Sequence, residues 1–151
     1  MPRNGFEEAM MVMNMFRCAI AMASVVTPSV AQQAPRAMIV IDEATVRREE
    51  PTPHGNIGTS TAYRISDAVP GRTMEFRKRV LHRGAAIGLH RLAHDEVYYV
   101  LSGEGEVQSG SDNHRLTSGM AAYLYDGATV GIRQLGDAPL VLIVSYPVVV
   151  Q

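Results

Sequence analysis

After residue 32 the apolar positions of this chain recur in short runs with a period of two, and Gly, Asp, Asn or Ser interrupts them at close intervals. The pattern predicts strands over 38–41, 61–65, 73–81, 86–91, 97–101, 105–109, 114–116, 121–125, 129–135 and 140–146. No segment of this part keeps a helical period for three turns. Many short strands without helices predict an all-β sandwich or barrel, because a lone sheet would leave one apolar face and two edges uncovered. The run 140–146, LVLIVSY, is apolar on both faces and belongs in the middle of the packed structure. SGEGEV at 102–107 and SGSDNH at 109–114 supply the glycines that hairpin turns need. The stretch 49–58, EEPTPHGNIG, is too rich in Pro and Gly for regular structure and reads as an arm or lid. His54 within it is either an ordinary loop residue or a lid residue reaching a barrel mouth.

The segment before this β-rich part has a different character. From Met13 it reads MNMFRCAIAMASVVTPSVAQQAP: a basic residue at Arg17, an apolar run over 18–26, Pro28, and small residues at Ser29 and Ala31. This is the form of a secretory signal cleaved between Ala31 and Gln32. The expected organisation is therefore a signal peptide at 1–31, an N-terminal arm or lid at 32–59 and a barrel at 60–151, in a periplasmic or secreted protein. The apolar run falls short of the ~20 residues that span a bilayer as a helix, which argues against a permanent membrane anchor. The competing reading is an amphipathic helix on a cytoplasmic protein.

Composition narrows the chemistry. A chain of 151 residues holds one ordinary domain, and a net charge of -1 lacks the basic excess of a phosphate-backbone binder, so nucleic acid is excluded as a partner. Cys18 is the single cysteine and falls inside the signal, which leaves neither a disulfide framework nor a thiolate metal site. A metal would have to be held by His and carboxylate.

The densest chemistry lies in 84–105, GAAIGLHRLAHDEVYYVLSGEG. Gly84, His90, Glu96 and Gly103 stand at the spacing of the first cupin motif, and Gly119, Gly127 and Gln134 follow the second, so the chain resembles the small single-domain cupins over 73–146. The resemblance implies a double-stranded β-helix, a jelly-roll barrel whose mouth holds the site. It also implies a divalent metal, Mn, Fe, Ni or Zn, on three or more ligands. Here Leu92 and Val130 occupy two usual ligand places and Tyr125 replaces the usual proline, so the chain commits to no cofactor of its own. His90 and Glu96 remain as metal candidates, with His94 as a replacement third ligand. His82 and His114 adjoin arginines near turns and read as surface residues.

The same residues support metal-free chemistry. His90, Glu96 and His94 are candidate catalytic groups, because a His and Glu pair in a partly apolar cavity can share and shuttle a proton. Tyr98 shares the face of Glu96 and joins Tyr125 and Gln134 as a candidate binding residue. The alternative for His90 and Glu96 is a hydrogen-bonded core pair that satisfies both groups. The function these residues suggest is binding of a small molecule, a sugar or sugar acid, in the barrel mouth, with isomerase, epimerase or lyase activity by proton transfer. A non-catalytic ligand-binding cupin is the alternative, and a structural role comes third. The resemblance further implies a homodimer formed through an edge strand or an exchanged arm, for which 37–41 is the candidate segment.

Overall fold

The computed structural model describes residues 36–148, so the expected signal peptide at 1–31 lies outside the described residues. The strands run β1 Arg47–Pro51, β2 Thr59–Tyr63, β3 Met74–Leu81, β4 Ala86–Arg91, β5 Glu96–Ser102, β6 Glu104–Ser109, β7 Asp112–Thr117, β8 Ala121–Leu124, β9 Thr129–Leu135 and β10 Leu140–Pro147. They form a six-stranded sheet in the order β1-β2-β3-β10-β5-β8 and a four-stranded sheet in the order β4-β9-β6-β7. Every pairing is antiparallel. The fold is an all-β jelly-roll barrel, as the alternation predicts.

The run that is apolar on both faces lands where expected. β10 lies between β3 and β5, and its inward Leu140, Leu142 and Val144 join Leu81, Val100, Val107, Leu116 and Ile132 in one core. Gly105 of β6 lets this layer close: a Cβ there would stand 2.5 Å from Leu140 Cδ2 and 2.8 Å from the Arg133 carbonyl oxygen. The hydrocarbon fills one end of the barrel.

The other end is lined differently because β3 inverts the usual pattern. Glu75 and Arg79 are buried and Arg77 is half-buried on the inward side, while Met74 and Phe76 face water. Buried charge is tolerable only when paired and hydrogen-bonded. Glu75 accepts from Ser66 Oγ at 2.6 Å, Arg72 Nε at 2.8 Å and Arg77 Nε at 3.1 Å. Burial alone would raise the proton affinity of Glu75, yet these donors hold its pKa below the usual glutamate value.

Two expectations fail near the start of the barrel. Residues 38–41 form no strand, and Met38 and Val40 are exposed. The chain instead turns at Asp42, whose carboxylate accepts from the Ala44 amide at 2.9 Å and caps the 3-10 turn Glu43–Val46. Conversely, RREEP, which carries no apolar residue but its terminal Pro51, is an edge strand, β1, in register with β2 from Arg47↔Tyr63 to Pro51↔Thr59. An edge strand with one solvated face needs no apolar alternation, and proline is admissible at an edge.

Replacing Gly105 with Ala is expected to lower unfolding stability by about 1–3 kcal/mol, the usual cost of overpacking. Urea unfolding followed by far-UV circular dichroism measures it, and an unchanged midpoint would show that the Leu140 layer relaxes freely.

Candidate functional site

The polar end of the barrel opens into a cavity of about 630 Å³. One wall comes from β4, β5 and their connection, with His90, Leu92, His94, Glu96 and Tyr98. The other side of the cavity carries Glu50, Arg64, Arg77 and Arg79, with β1 and β3 in the same sheet as β5 and Val144 and Tyr146 of β10 between them. His54 and Asn56 contribute from the loop after β1.

His90 reaches this cavity through an irregularity in β4, whose register with β9 shifts between Ile87 and His90. Its Nδ1 lies 2.9 Å from the Gly88 carbonyl oxygen. A carbonyl can only accept, so Nδ1 carries the proton and Nε2 of the neutral ring is an acceptor. The His54 ring stacks on His90 with centroids 3.6 Å apart and planes inclined by 6°. His54 thus follows the lid reading of its loop.

The loop that presents His54 is held in an uncommon conformation. His54, Gly55 and Asn56 have φ of 57°, 127° and 53° in succession. Non-glycine residues in this region cost energy and persist where surrounding contacts enforce them. Those contacts are the Gly88 amide on the Pro53 carbonyl at 3.2 Å, Thr52 Oγ1 on the Ile57 carbonyl at 2.9 Å, and the Ala86 amide on the same Ile57 oxygen at 3.0 Å. A Cβ on Gly88 would lie 1.5 Å from the His54 carbonyl oxygen, so the loop seats only because residue 88 has no side chain. Burial, and then the neighbouring His90 charge, lower the His54 pKa below the ordinary histidine value.

Glu96 opens β5 and faces inward with 6% of its surface exposed. Burial raises its pKa above the usual 4.5, against the opposing pull of His94, His90 and Arg77. No hydrogen bond joins it to His90, which removes the reading of these two as a satisfied core pair. Tyr98, two residues on, is fully buried, and its hydroxyl lies beside Glu96 without a hydrogen bond of good geometry. Burial and the Glu96 carboxylate push the Tyr98 ionisation well up, so the phenol stays a donor. His94 turns Nδ1 toward the Asp95 carbonyl at 3.2 Å and stacks on Tyr146, centroids 4.4 Å apart. Arg77 covers Tyr146 at 5.7 Å.

The structure thus brings together His90, His94, Glu96 and Tyr98, and leaves out two expected binding residues. Tyr125 lies outside the cavity because the inward residue of β8 is Leu124, which turns Tyr123 and Tyr125 outward; Tyr125 is 69% exposed and packs on Tyr123. Gln134 is buried but spent elsewhere: its amide nitrogen donates to the Leu135, Gly136 and Ala138 carbonyls, and its oxygen accepts from the Gly84 amide. It fixes turns. His82 bonds Thr61 at 3.1 Å, and His114 is exposed.

The donor set does not fit the metal that the sequence resemblance implies. Among the described residues no three His, Cys, Asp or Glu side chains converge as a metal-holding group, so His90, Glu96 and His94 do not form one. Leu92 and Val130 are buried in the hydrocarbon core, with Val130 paired opposite His90. Sequence reasoning also missed Arg77, Arg79, Arg64, Glu50 and Tyr146. The signal for two of them was available, since Glu75, Arg77, Arg79 and Leu81 share one parity in β3, and buried Leu81 marks that parity as inward.

Comparisons with known proteins agree with this architecture. Residues 77–146 match the family model described as the cupin domain. A predicted oxalate decarboxylase from Thermotoga maritima superposes with a TM-score of 0.65 at 19% identity, covering 74% of this chain and 100% of its own. The TT1209 protein of Thermus thermophilus gives 0.58 at 27% identity, covering 73% and 97%. A sugar phosphate isomerase from a cupin superfamily, from Silicibacter pomeroyi, gives 0.54 at 20% identity, covering 60% of each chain. Among functionally curated proteins none matches the sequence.

Glu96 imposes a pH-dependent cost on the folded state. Its folded pKa lies above the unfolded value of 4.5, so the penalty is fully present above the folded pKa and fades as pH falls toward 4.5. Glu96→Gln is therefore expected to raise stability at pH 7, with the gain shrinking as pH falls toward 4.5. Paired urea titrations of the two proteins across that range test this. Gly88→Ala is expected to expel the His54 loop while sparing the barrel, read as faster amide exchange at 54–57 than in the parent protein; equal protection would refute the steric coupling.

Proposed function

Because residues 77–146 are a cupin domain, we propose that this protein binds a small polyhydroxylated molecule, a sugar or sugar acid, in the barrel mouth and moves a proton on it. The reaction class is isomerisation, epimerisation or β-elimination at a carbon next to a carbonyl. The observation that carries this reading is Glu96, a buried carboxyl of raised proton affinity set among His90, His94 and an unpartnered Tyr98 hydroxyl. Perturbed carboxyls in cavities that also hold histidine are what general acid–base chemistry requires.

Each group has a distinct part. His90, whose Nδ1 is committed to the Gly88 carbonyl, offers Nε2 to take the proton from the carbon next to the carbonyl. Tyr98 donates a hydrogen bond to the carbonyl oxygen as negative charge develops there, a contact strengthened by the dry surroundings. Glu96, when protonated, delivers a proton to the same carbon from its other face in epimerisation, to the former carbonyl carbon in isomerisation, or to the leaving oxygen in β-elimination. His94, stacked on Tyr146, shields the site on the side of β10. The sugar phosphate isomerase neighbour supports this class of chemistry by analogy of fold alone.

Leu92 and Val130, hydrocarbon at two usual ligand places, favour the second reading, a barrel that binds the same class of ligand without turnover. We further propose that residues 1–31 direct export and that the protein acts as a homodimer, to be checked by N-terminal sequencing of the exported protein and by sedimentation.

Incubation of the exported protein with hexoses and hexuronates in deuterium oxide, followed by NMR, separates the two main readings. Wild type is expected to exchange the carbon-bound proton next to the carbonyl. Glu96→Gln and His90→Gln are each expected to slow exchange by about a hundredfold to ten-thousandfold, with Tyr98→Phe losing less. Binding without exchange in wild type would favour the non-catalytic barrel.

A further inference from the structure

The proton-transfer reading uses one wall of the cavity and leaves the other unexplained. On that other wall two guanidinium groups share one carboxylate. Glu50 accepts from Arg64 Nη2 at Oε2 and from Arg79 Nη2 at Oε1, each at 2.8 Å. Arg79 is buried and completes its bonding by donating Nη1 to Ser60 Oγ at 2.7 Å. Arg64 does not complete its own: its Nε–H is buried and has no acceptor.

The surrounding charges do not cancel the surplus. Arg64 also lies 4.0 Å from Asp67, but Asp67 is shared with Arg72 at 3.3 Å and Arg77 at 3.6 Å, and Glu75 serves those same two arginines. The ion pairs join four arginines to three carboxylates, an excess of one positive charge as long as the nearby Glu96 is protonated. A buried donor without a partner is costly, and this one belongs to Arg64, which lines the cavity as part of that network.

We infer that Arg64, with Arg79 behind it, is a subsite for a carboxylate, so that of the sugars and sugar acids admitted by the proposed reading the protein takes the acid. The inference rests on that reading for the location of the ligand. A carboxylate brings one negative charge to one surplus positive charge, and its two oxygens suit the edge of a guanidinium that presents an Nε–H. A phosphate brings nearly two charges to a wall that offers one. The arrangement also orients the ligand, with the acid group at Arg64 and the reacting carbon toward Glu96 and His90.

Isothermal titration calorimetry on the full chain tests this with hexuronates, their parent hexoses and the corresponding hexose phosphates, applied to wild type, Arg64→Lys and Arg64→Met. Wild type is expected to bind a hexuronate at least about tenfold more tightly than its hexose. Arg64→Met abolishes that preference, and Arg64→Lys, which keeps the charge but loses the Nε–H fork, restores part of it. Thermal unfolding of each variant confirms that it is folded. If Arg64→Met does not fold, the Arg64→Lys loss and the wild-type preference for acid decide the matter. Equal binding of hexose and hexuronate, tighter binding of the phosphate, retention of the acid preference in Arg64→Met, or no binding of any hexuronate at millimolar concentration overturns the subsite. Acid binding without proton exchange would leave the subsite standing and remove the catalytic reading. Exchange on neutral hexoses without acid preference would do the reverse.

Discussion

Charge on the inner face of β3 is the constraint to which the rest of this barrel answers. Glu75, Arg77 and Arg79 point where a jelly roll ordinarily carries hydrocarbon, and each must find partners within reach. Ser66 and Asp67 come from the 3-10 turn Ile65–Ala68, Ser60 from β2 and Glu50 from β1. The edge strand is therefore more than a cover for the sheet: it delivers the carboxylate that lets Arg79 be buried. Because hydrocarbon from Leu81, Leu140 and Ile132 fills the opposite end, polarity runs along the barrel axis and the cavity of about 630 Å³ opens at the charged end.

The fold was legible because hydrophobic alternation reports burial directly. Nine of the ten strands overlap segments predicted from the sequence, and LVLIVSY declared its central place by being apolar on both faces. β1 was not legible, because RREEP is held by backbone pairing and by ion pairs with residues distant in the chain. Residues 38–41 show the converse error, since an apolar run without a neighbouring strand to pair with stays extended and exposed.

The site divides along the same line. His90, Glu96 and Tyr98 were found because motif spacing and parity are local properties. The arginine wall and the His54 stack were not assigned, because they depend on which strands meet across the barrel. Tyr125 and Gln134 misled for opposite reasons. Tyr125 sits at a motif position but just past β8 and on its outward parity, and Gln134 is buried but has its amide nitrogen taken by three turn carbonyls and its oxygen by the Gly84 amide. Val130 is the register partner of His90 at a place where the resemblance expects a third ligand, so a hydrocarbon residue stands there in place of a metal ligand.

The position of β10 bears on how such a protein is made. It is the last strand of the barrel in chain order, yet it pairs with β3 on one side and β5 on the other. A ribosome therefore releases the two halves of the six-stranded sheet, with their inward charges, before the strand that joins them has been synthesised. Until residues 140–147 emerge, Glu75, Arg77 and Arg79 stand in water next to strand edges that have no neighbour. Delayed closure of this kind favours slow, long-range folding and leaves a nascent chain dependent on whatever holds it open.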